Sequence, residues 1–294
     1  MRTGLVTLVG RPNVGKSTLV NRLVGRKVSI ASSRPQTTRA IVRGVVNHPK
    51  GEWQMVLVDT PGLHRPRTEL GSRLNRLVNG TLADTDLICF LIDATQSIGP
   101  GDRLIAGRVR EAGSPVVLTL TKIDKAPRTD VLSQLATASE WDFAAYVPIS
   151  AKTGEGIETL VSQVSGMLPE GPALFPPEMD TDQPEEFLIA EIIREKFLDQ
   201  LREELPHSLH VRLRNFDEDG DLLRIEADLL VERQSQKGIV IGKAGSMLEE
   251  AGSAARHELE VLLGSRIHLQ LQVKVEPDWQ RRPAMLDRFG FTKE

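Results

Sequence analysis

The chain has 294 residues, with 37 Lys+Arg against 40 Asp+Glu and a formal charge of −3. Apolar residues make up 40% and charged residues 26%, an ordinary globular balance, and the length suggests two domains. The near-neutral charge excludes a polycation that coats nucleic acid, and the single cysteine, Cys89, excludes an internal disulfide framework and fits a reducing compartment.

Residues 1–168 alternate short apolar runs with helix-like stretches. The expected strands are Thr3–Gly10, Ile41–Asn47, Trp53–Asp59, Asp86–Asp93, Pro115–Thr121 and Tyr146–Ile149. The expected helices are Lys16–Val24, Leu70–Ala83, Asp102–Glu111, Asp130–Ser139 and Gly156–Leu168. Leu5–Val9 runs straight into a glycine-rich turn, so no signal peptide is expected. Leu87–Ile92, the longest strongly apolar stretch, falls far short of the about 20 residues that cross a bilayer and reads as a strand buried on both faces. The alternation predicts an α/β domain with a mostly parallel sheet, and the short link after Asn47 predicts one antiparallel pair.

Residues 169–183 lie within a proline-rich stretch without periodicity and are expected to be a stiff linker. Beyond it the pattern changes. Ile189, Ile193, Phe197, Leu201 and Leu205 form one row of a helix over Glu185–Leu205. Three alternating strands follow, one through Leu209, Val211 and Leu213, one over Leu223–Val231, and one over Ile267–Val275. Asp217–Asp221 suits the turn between the first two. A helix carrying Leu248, Ala251, Ala255, Leu259 and Leu262 on one face precedes the third. Alternation means one covered face, so residues 184–294 are read as a smaller α+β domain of order α-β-β-α-β, with room for a short extra helix before its glycine loop.

Gly10-Arg11-Pro12-Asn13-Val14-Gly15-Lys16-Ser17, followed by Thr18, matches G-x-x-x-x-G-K-S between a strand and a helix. Its glycines let backbone N–H groups turn around phosphates, Lys16 would reach the β- and γ-phosphates, and the Ser17 hydroxyl would ligate Mg²⁺. Asp59-Thr60-Pro61-Gly62 also follows a strand. There Asp59 is placed to hold Mg²⁺ through water and the Gly62 N–H to meet a γ-phosphate. Leu63 stands where a water-orienting glutamine is often found, so intrinsic hydrolysis is expected to be slow; the next residue, His64, reads better as a solvated loop histidine than as a catalyst.

Thr121-Lys122-Ile123-Asp124 decides the base. Guanine offers N1–H and a 2-amino group to one carboxylate, whereas adenine presents a bare acceptor, so Asp124 fits guanine. The Lys122 stem would flank the base, and Ser150-Ala151-Lys152 could offer the Ala151 N–H to the guanine carbonyl.

In the second domain, Gly238 through Gly245 contains V-I-G-x-x-G ahead of a helix, with Ser246 and Glu249 expected to form its capping box. A G-x-x-G loop admits a nucleic-acid backbone closely. Gly242, Lys243, Ala244 and Gly245, with Arg233, Lys237 and Gly238 nearby, are the expected RNA contacts. Residues 184–294 nonetheless hold 16 Lys+Arg and 22 Asp+Glu, a net of −6, while the rest of the chain is net +3. Bulk charge therefore does not drive RNA binding, and a salt slope of only a few phosphates is expected.

The ordered set GRPNVGKST, TTR, DTPG, TKID and SAK resembles the translation-factor-related class of GTPases, with Thr121 departing from the usual Asn. That resemblance implies that Gln36-Thr37-Thr38-Arg39 is the first switch, with Thr38 the Mg²⁺ ligand and Thr37 the fallback. It also likens Asn13 to the asparagine of potassium-activated GTPases, which would make K⁺ a cofactor beside GTP/GDP and Mg²⁺. The α-β-β-(G-x-x-G)-α-β order resembles a type II KH domain. The two together, with Ser33-Arg34, Glu191–Lys196 and Leu230–Arg233, resemble the ribosome-assembly GTPases of the Era family over essentially the whole chain. The resemblance implies a cytoplasmic, monomeric GTPase switch whose KH domain binds the 3′ end of 16S ribosomal RNA and assists 30S subunit assembly. Peripheral association with the cytoplasmic membrane is implied in the same way. The competing reading is a membrane-associated signalling GTPase whose second domain binds protein.

Overall fold

The computed structural model describes the chain apart from residues 33, 35, 36, 64, 65, 67, 202–204, 221 and 292–294. It divides into two compact units. One comprises residues 1–31, 38–66 and 74–182, the other residues 32–37, 67–73 and 183–294.

In the first unit the strands are β1 (Arg2–Gly10), β2 (Val42–Asn47), β3 (Trp53–Asp59), β4 (Leu87–Asp93), β5 (Val116–Thr121) and β6 (Ala145–Pro148). They form a six-stranded sheet of order β2-β3-β1-β4-β5-β6, with β2 antiparallel to β3 and the other pairs parallel. The helices are α1 (Lys16–Val24), α2 (Glu69–Ala83, counted in this unit from Leu74 onward), α3 (Pro100–Glu111), α4 (Arg128–Ser139) and α5 (Ile157–Met167). Every residue of β4 is buried, as its unbroken apolar sequence requires of a strand covered on both faces. In a doubly covered parallel sheet the strand ends carry the ligand-facing loops, which places the ends of β1, β3 and β5 together.

Residues 169–182 do not hang free as a spacer. The carbonyl of Pro169 accepts from the Thr3 N–H at 2.9 Å, and that of Asp180 accepts from the Val45 N–H at 2.8 Å. The fully buried Gln54 amide accepts from the Leu174 and Phe175 N–H groups at 2.7 and 3.0 Å and donates to the Phe175 carbonyl at 2.8 Å. The segment thus meets the sheet both as acceptor, through the Pro169, Phe175 and Asp180 carbonyls, and as donor, through the Leu174 and Phe175 N–H groups.

The second unit contains α6 (Glu185–Gln200), α7 (Leu205–Ser208), β7 (His210–Asp219), β8 (Leu222–Val231), α8 (Gln234–Ile241), α9 (Ser246–Leu263), β9 (Arg266–Val275) and α10 (Pro283–Arg288). Its sheet runs β7-β8-β9, with β7 antiparallel and β9 parallel to β8. The β7–β8 turn pivots on Gly220, and Asp221 lies outside the described residues. Ile189, Ile193 and Phe197 of α6 and Ala251, Ala255 and Leu259 of α9 are fully buried, as their helical spacing demands, together with Ile225, Ala227 and Leu229 of β8.

Two expectations need correction here. The helix expected over Glu185–Leu205 ends at Gln200. The capping box is not formed: Gly245, not Ser246, is the N-cap of α9, in left-handed conformation and without a side-chain cap. The short extra helix for which the sequence leaves room before the glycine loop is α8, and Gly238 lies inside it. The C-terminal cluster was not foreseen. Trp279 is fully buried, with its indole N–H on the Ser208 carbonyl at 2.9 Å and rings of His210, Phe289 and Phe291 around it.

Candidate functional site

The loop between β1 and α1 holds the predicted phosphate contacts. Gly10 ends the strand, Val14 is buried under the loop, and Lys16 and Ser17 open the helix on its covered side, whereas Thr18 is exposed. The Lys16 ammonium donates to the carbonyls of Gly10 and Arg11, both at 3.3 Å. It thus lies curled inside its own loop, where a phosphate oxygen would be its stronger partner. Burial lowers its pKa to about 8, against the raising pull of the Asp59 carboxylate.

Three hydroxyls converge on Asp59 at the end of β3. Ser17 donates to Oδ2 at 2.6 Å, Ser29 at 2.7 Å and Thr38 at 3.5 Å, and the Ser17 and Thr38 oxygens lie 3.0 Å apart. Oδ1 is buried with no hydrogen-bond partner. Burial raises the Asp59 pKa, opposed by the Lys16 charge and the three hydroxyls. A buried carboxylate with one oxygen bare, beside two hydroxyl oxygens, is a hard oxygen donor set that fits Mg²⁺ and its waters. Thr38 therefore reaches this cluster and Thr37 does not: the Thr37 hydroxyl donates to the Arg34 carbonyl at 2.7 Å. Ser33 and Gln36 of the same stretch lie outside the described residues.

After β3, Thr60 is fully buried and its hydroxyl bonds the Leu8 carbonyl at 2.7 Å, which locks Asp59-Thr60-Pro61-Gly62 to the neighbouring strand. A Cβ on Gly62 would stand 2.8 Å from the Pro12 backbone, so only glycine lets this segment lie against the phosphate loop. The Leu63 N–H bonds the Gly10 carbonyl at 3.3 Å, and its side chain packs into the core with Val9, Val78 and Phe90. His64 lies outside the described residues. Because Leu63 faces inward, Leu63→Gln should not create a water-orienting amide. We expect no gain in GTP turnover and a loss of stability of about 2 kcal/mol from burying the amide, read by phosphate release and thermal unfolding.

At the end of β5 the Thr121 hydroxyl is engaged with the carbonyls of Val14 at 2.7 Å and Ile92 at 3.0 Å. Its one proton is spent bracing the phosphate loop against β4. Lys122, at φ 60°, donates to the Asn13 carbonyl and to Asp93, both at 2.6 Å. Asp124 accepts from the Ser150 hydroxyl at 2.7 Å, and that hydroxyl accepts from the Thr153 N–H at 3.1 Å. Ala151 and Lys152 form the turn that this bond closes, so TKID and SAK meet as one surface.

Sequence reasoning missed two residues here. Asp93 ends β4 and anchors Lys122; burial would raise its pKa, but bonds from Lys122 and Thr95 hold it below the usual carboxylate range. Ser29 sits in the loop after α1 and bonds Asp59. A polar residue at a strand end was the only available signal for Asp93. Ser29 carried none.

In the second unit, Gly242-Lys243-Ala244-Gly245 links α8 to α9, with Lys243 and Ala244 exposed. Gly242 has φ 78° and ψ 174°, and a Cβ there would stand 2.7 Å from the Met247 nitrogen, which makes glycine obligatory for the tight turn. Arg233 caps α8, its N–H on the Gln236 side chain at 3.0 Å, and Lys237 follows in the same helix. Beside the loop, a groove of about 380 Å³ runs between α9 and β9, lined by Ala244, Gly245, Leu248, Gly252, Leu269 and Leu271, with Glu249, Ser253 and Arg256 also on its wall. Leu248, Leu269 and Leu271, expected in the core, are only half-buried because they line this groove. Apolar walls beside an exposed glycine loop suit unstacked bases whose backbone passes the loop.

A family model described as a 50S ribosome-binding GTPase matches residues 5–122, and a KH-domain model matches residues 204–280. The GTPase Era of Mycobacterium tuberculosis (strain ATCC 25177 / H37Ra) is 51% identical over 297 aligned residues, covering 98% of each chain. The chain belongs to the Era family of GTPases. It is a GTP-hydrolysing enzyme with a P-loop GTPase domain and a C-terminal KH domain. An Aquifex aeolicus Era variant solved with GDP·AlF4⁻ superposes with a TM-score of 0.95 at 41% identity, covering 100% of both chains. An Era solved with MgGDPNP and nucleotides 1506–1542 of 16S ribosomal RNA superposes at 0.96, also at 41% identity and with 100% of both chains covered. Among the described residues no helix is long and apolar enough to cross a membrane.

Proposed function

We propose that this chain is a GTP-driven switch that binds the 3′ end of 16S ribosomal RNA through its KH domain and assists 30S subunit assembly. The observation that carries the RNA half is the groove beside Gly242–Gly245, together with the 16S fragment held by the Era of the same fold. In the GTPase half, Lys16 and the loop N–H groups would hold the phosphates, and Asp124, Lys122 and Ala151 the guanine. Ser17, Thr38 and Asp59 would hold Mg²⁺, which when bound neutralises charge on the β- and γ-phosphates. Ordering of the Thr38 and Asp59–Leu63 segments around the γ-phosphate would make the state of the nucleotide readable.

Leu63 has no polar side chain to orient water, and positive charge at the phosphates would come from K⁺ held with the help of Asn13. Residues 1–168 act as the GTPase domain, 169–183 as the connecting segment and 184–294 as the RNA-binding domain. The protein works in the cytoplasm as a monomer, with peripheral membrane contact supported by family resemblance alone. Two assays test the proposal. A single-stranded 3′-terminal 16S segment should bind in a filter or mobility assay, and phosphate release should be faster in KCl than in NaCl. An RNA that fails to bind would remove the ribosomal role and favour a protein-binding second domain; equal rates in the two salts would remove K⁺.

A further inference from the structure

The Asp59 carboxylate is shared unequally. All three hydroxyl donors crowd onto Oδ2, and buried Oδ1 is left bare. Two of those donors, Ser17 and Thr38, are the side chains assigned above to the metal, so their oxygens must turn toward it when it binds. The third, Ser29, comes from a separate segment, and the fold has gone to some length to place it. Ser29 is 3% exposed. Asn21 of α1 clamps its backbone with three bonds: the amide donates to the Ser29 carbonyl at 2.6 Å and accepts from the Val28 and Ser29 N–H groups at 2.9 and 3.0 Å. A loop residue pinned on both sides of its Cα has its hydroxyl aimed by the backbone, here at Oδ2, 2.7 Å away.

We propose that Ser29, aimed by Asn21, is a positioning residue for the Mg²⁺ site: it fixes the rotation of the Asp59 carboxylate beside Ser17 and Thr38, the side chains assigned to the metal. The Ser29 hydroxyl touches neither nucleotide nor metal. It acts through Asp59, as outer partners of metal ligands commonly do, and removing such a partner typically weakens metal affinity about 10-fold or more.

The proposal rests on the Mg²⁺–nucleotide reading above, and its test keeps the two apart. Release of a fluorescent GDP is followed in the full-length chain across a Mg²⁺ titration, and GDP affinity is measured separately in EDTA. Ser29→Ala should raise the half-saturating Mg²⁺ concentration about 10-fold and leave the EDTA affinity unchanged. Ser29→Thr, which keeps the hydroxyl, should restore the Mg²⁺ response. Ser29→Cys, close in size but a poor donor, should behave as Ser29→Ala and carries the test if the alanine variant does not fold. An unmoved Mg²⁺ titration overturns the proposal. So does an equal loss in EDTA, which would mark Ser29 as merely structural. Wild-type chain that binds no GDP, or whose GDP release ignores Mg²⁺, would overturn the nucleotide reading itself and the proposal with it.

Discussion

Asp124→Asn should lose GTP by about 10⁴-fold and gain xanthosine triphosphate. Asp124 stands in the short turn after β5, and the Ser150 hydroxyl holds Oδ1 at 2.7 Å, so the carboxylate is oriented before any base arrives. Guanine gives it two donors, N1–H and the 2-amino group. An amide in its place turns an N–H toward the 2-amino group, donor against donor, and the pairing with the base is lost. Xanthine carries a carbonyl at that position and accepts from the amide. Competition of GTP and XTP against a fluorescent guanine nucleotide reads the exchange directly. A variant that still prefers GTP would take Asp124 out of the base contact. Thermal unfolding should hardly move, because asparagine can still accept from Ser150.

The second large effect is expected in the KH loop. Replacing both Lys243 and Ala244 with Asp should weaken binding of the 16S 3′ tail by about 100-fold or more, through like charge against phosphate. GTP affinity and turnover measured on the same preparation should not change. The choice of positions follows from backbone geometry. Gly242 cannot be replaced without pushing a Cβ onto the Met247 nitrogen, so Gly242→Asp would confound RNA loss with distortion. Ala244 is exposed and already left-handed at φ 52°, a conformation that aspartate accepts more readily than most residues. RNA binding that survived the double substitution would remove this loop from the interface.

Such clean variants were not apparent from the motif, which treats Gly238, Gly242 and Gly245 alike. The structure separates them into a helical glycine, a steric necessity and a left-handed helix cap. The net charge of −6 over residues 184–294 also takes on a clearer meaning. The groove walls set Leu248, Leu269 and Leu271 beside Glu249, Ser253 and Arg256, with Lys243 exposed at the loop, so in the proposed complex contact with bases and a few phosphates would replace a basic surface.

The phosphate and guanine motifs could be read in the chain because each is contiguous. A loop that wraps phosphates with its own backbone needs glycines and a lysine at fixed spacing, and a base-reading carboxylate needs a strand end to stand on. The strands were legible for a similar reason: burial on two faces or one writes an unbroken or an alternating pattern, and both β4 and β8 carry theirs plainly. What depends on residues far apart in the chain was not legible. Ser29 meets Asp59 across 30 positions, and Lys122 meets Asp93 across 29. Thr121 is spent on the Val14 and Ile92 carbonyls, and Leu63 turns into the core instead of toward a phosphate. Residues 169–182, plain linker by composition, bind along the sheet because their carbonyls and N–H groups find partners on β1, β2 and Gln54. Composition and spacing state which groups are present, and local backbone chemistry can be inferred from them. Which distant partner satisfies each buried donor and acceptor is decided only when the sheet closes, since every buried polar group must then find whatever packing has brought within reach.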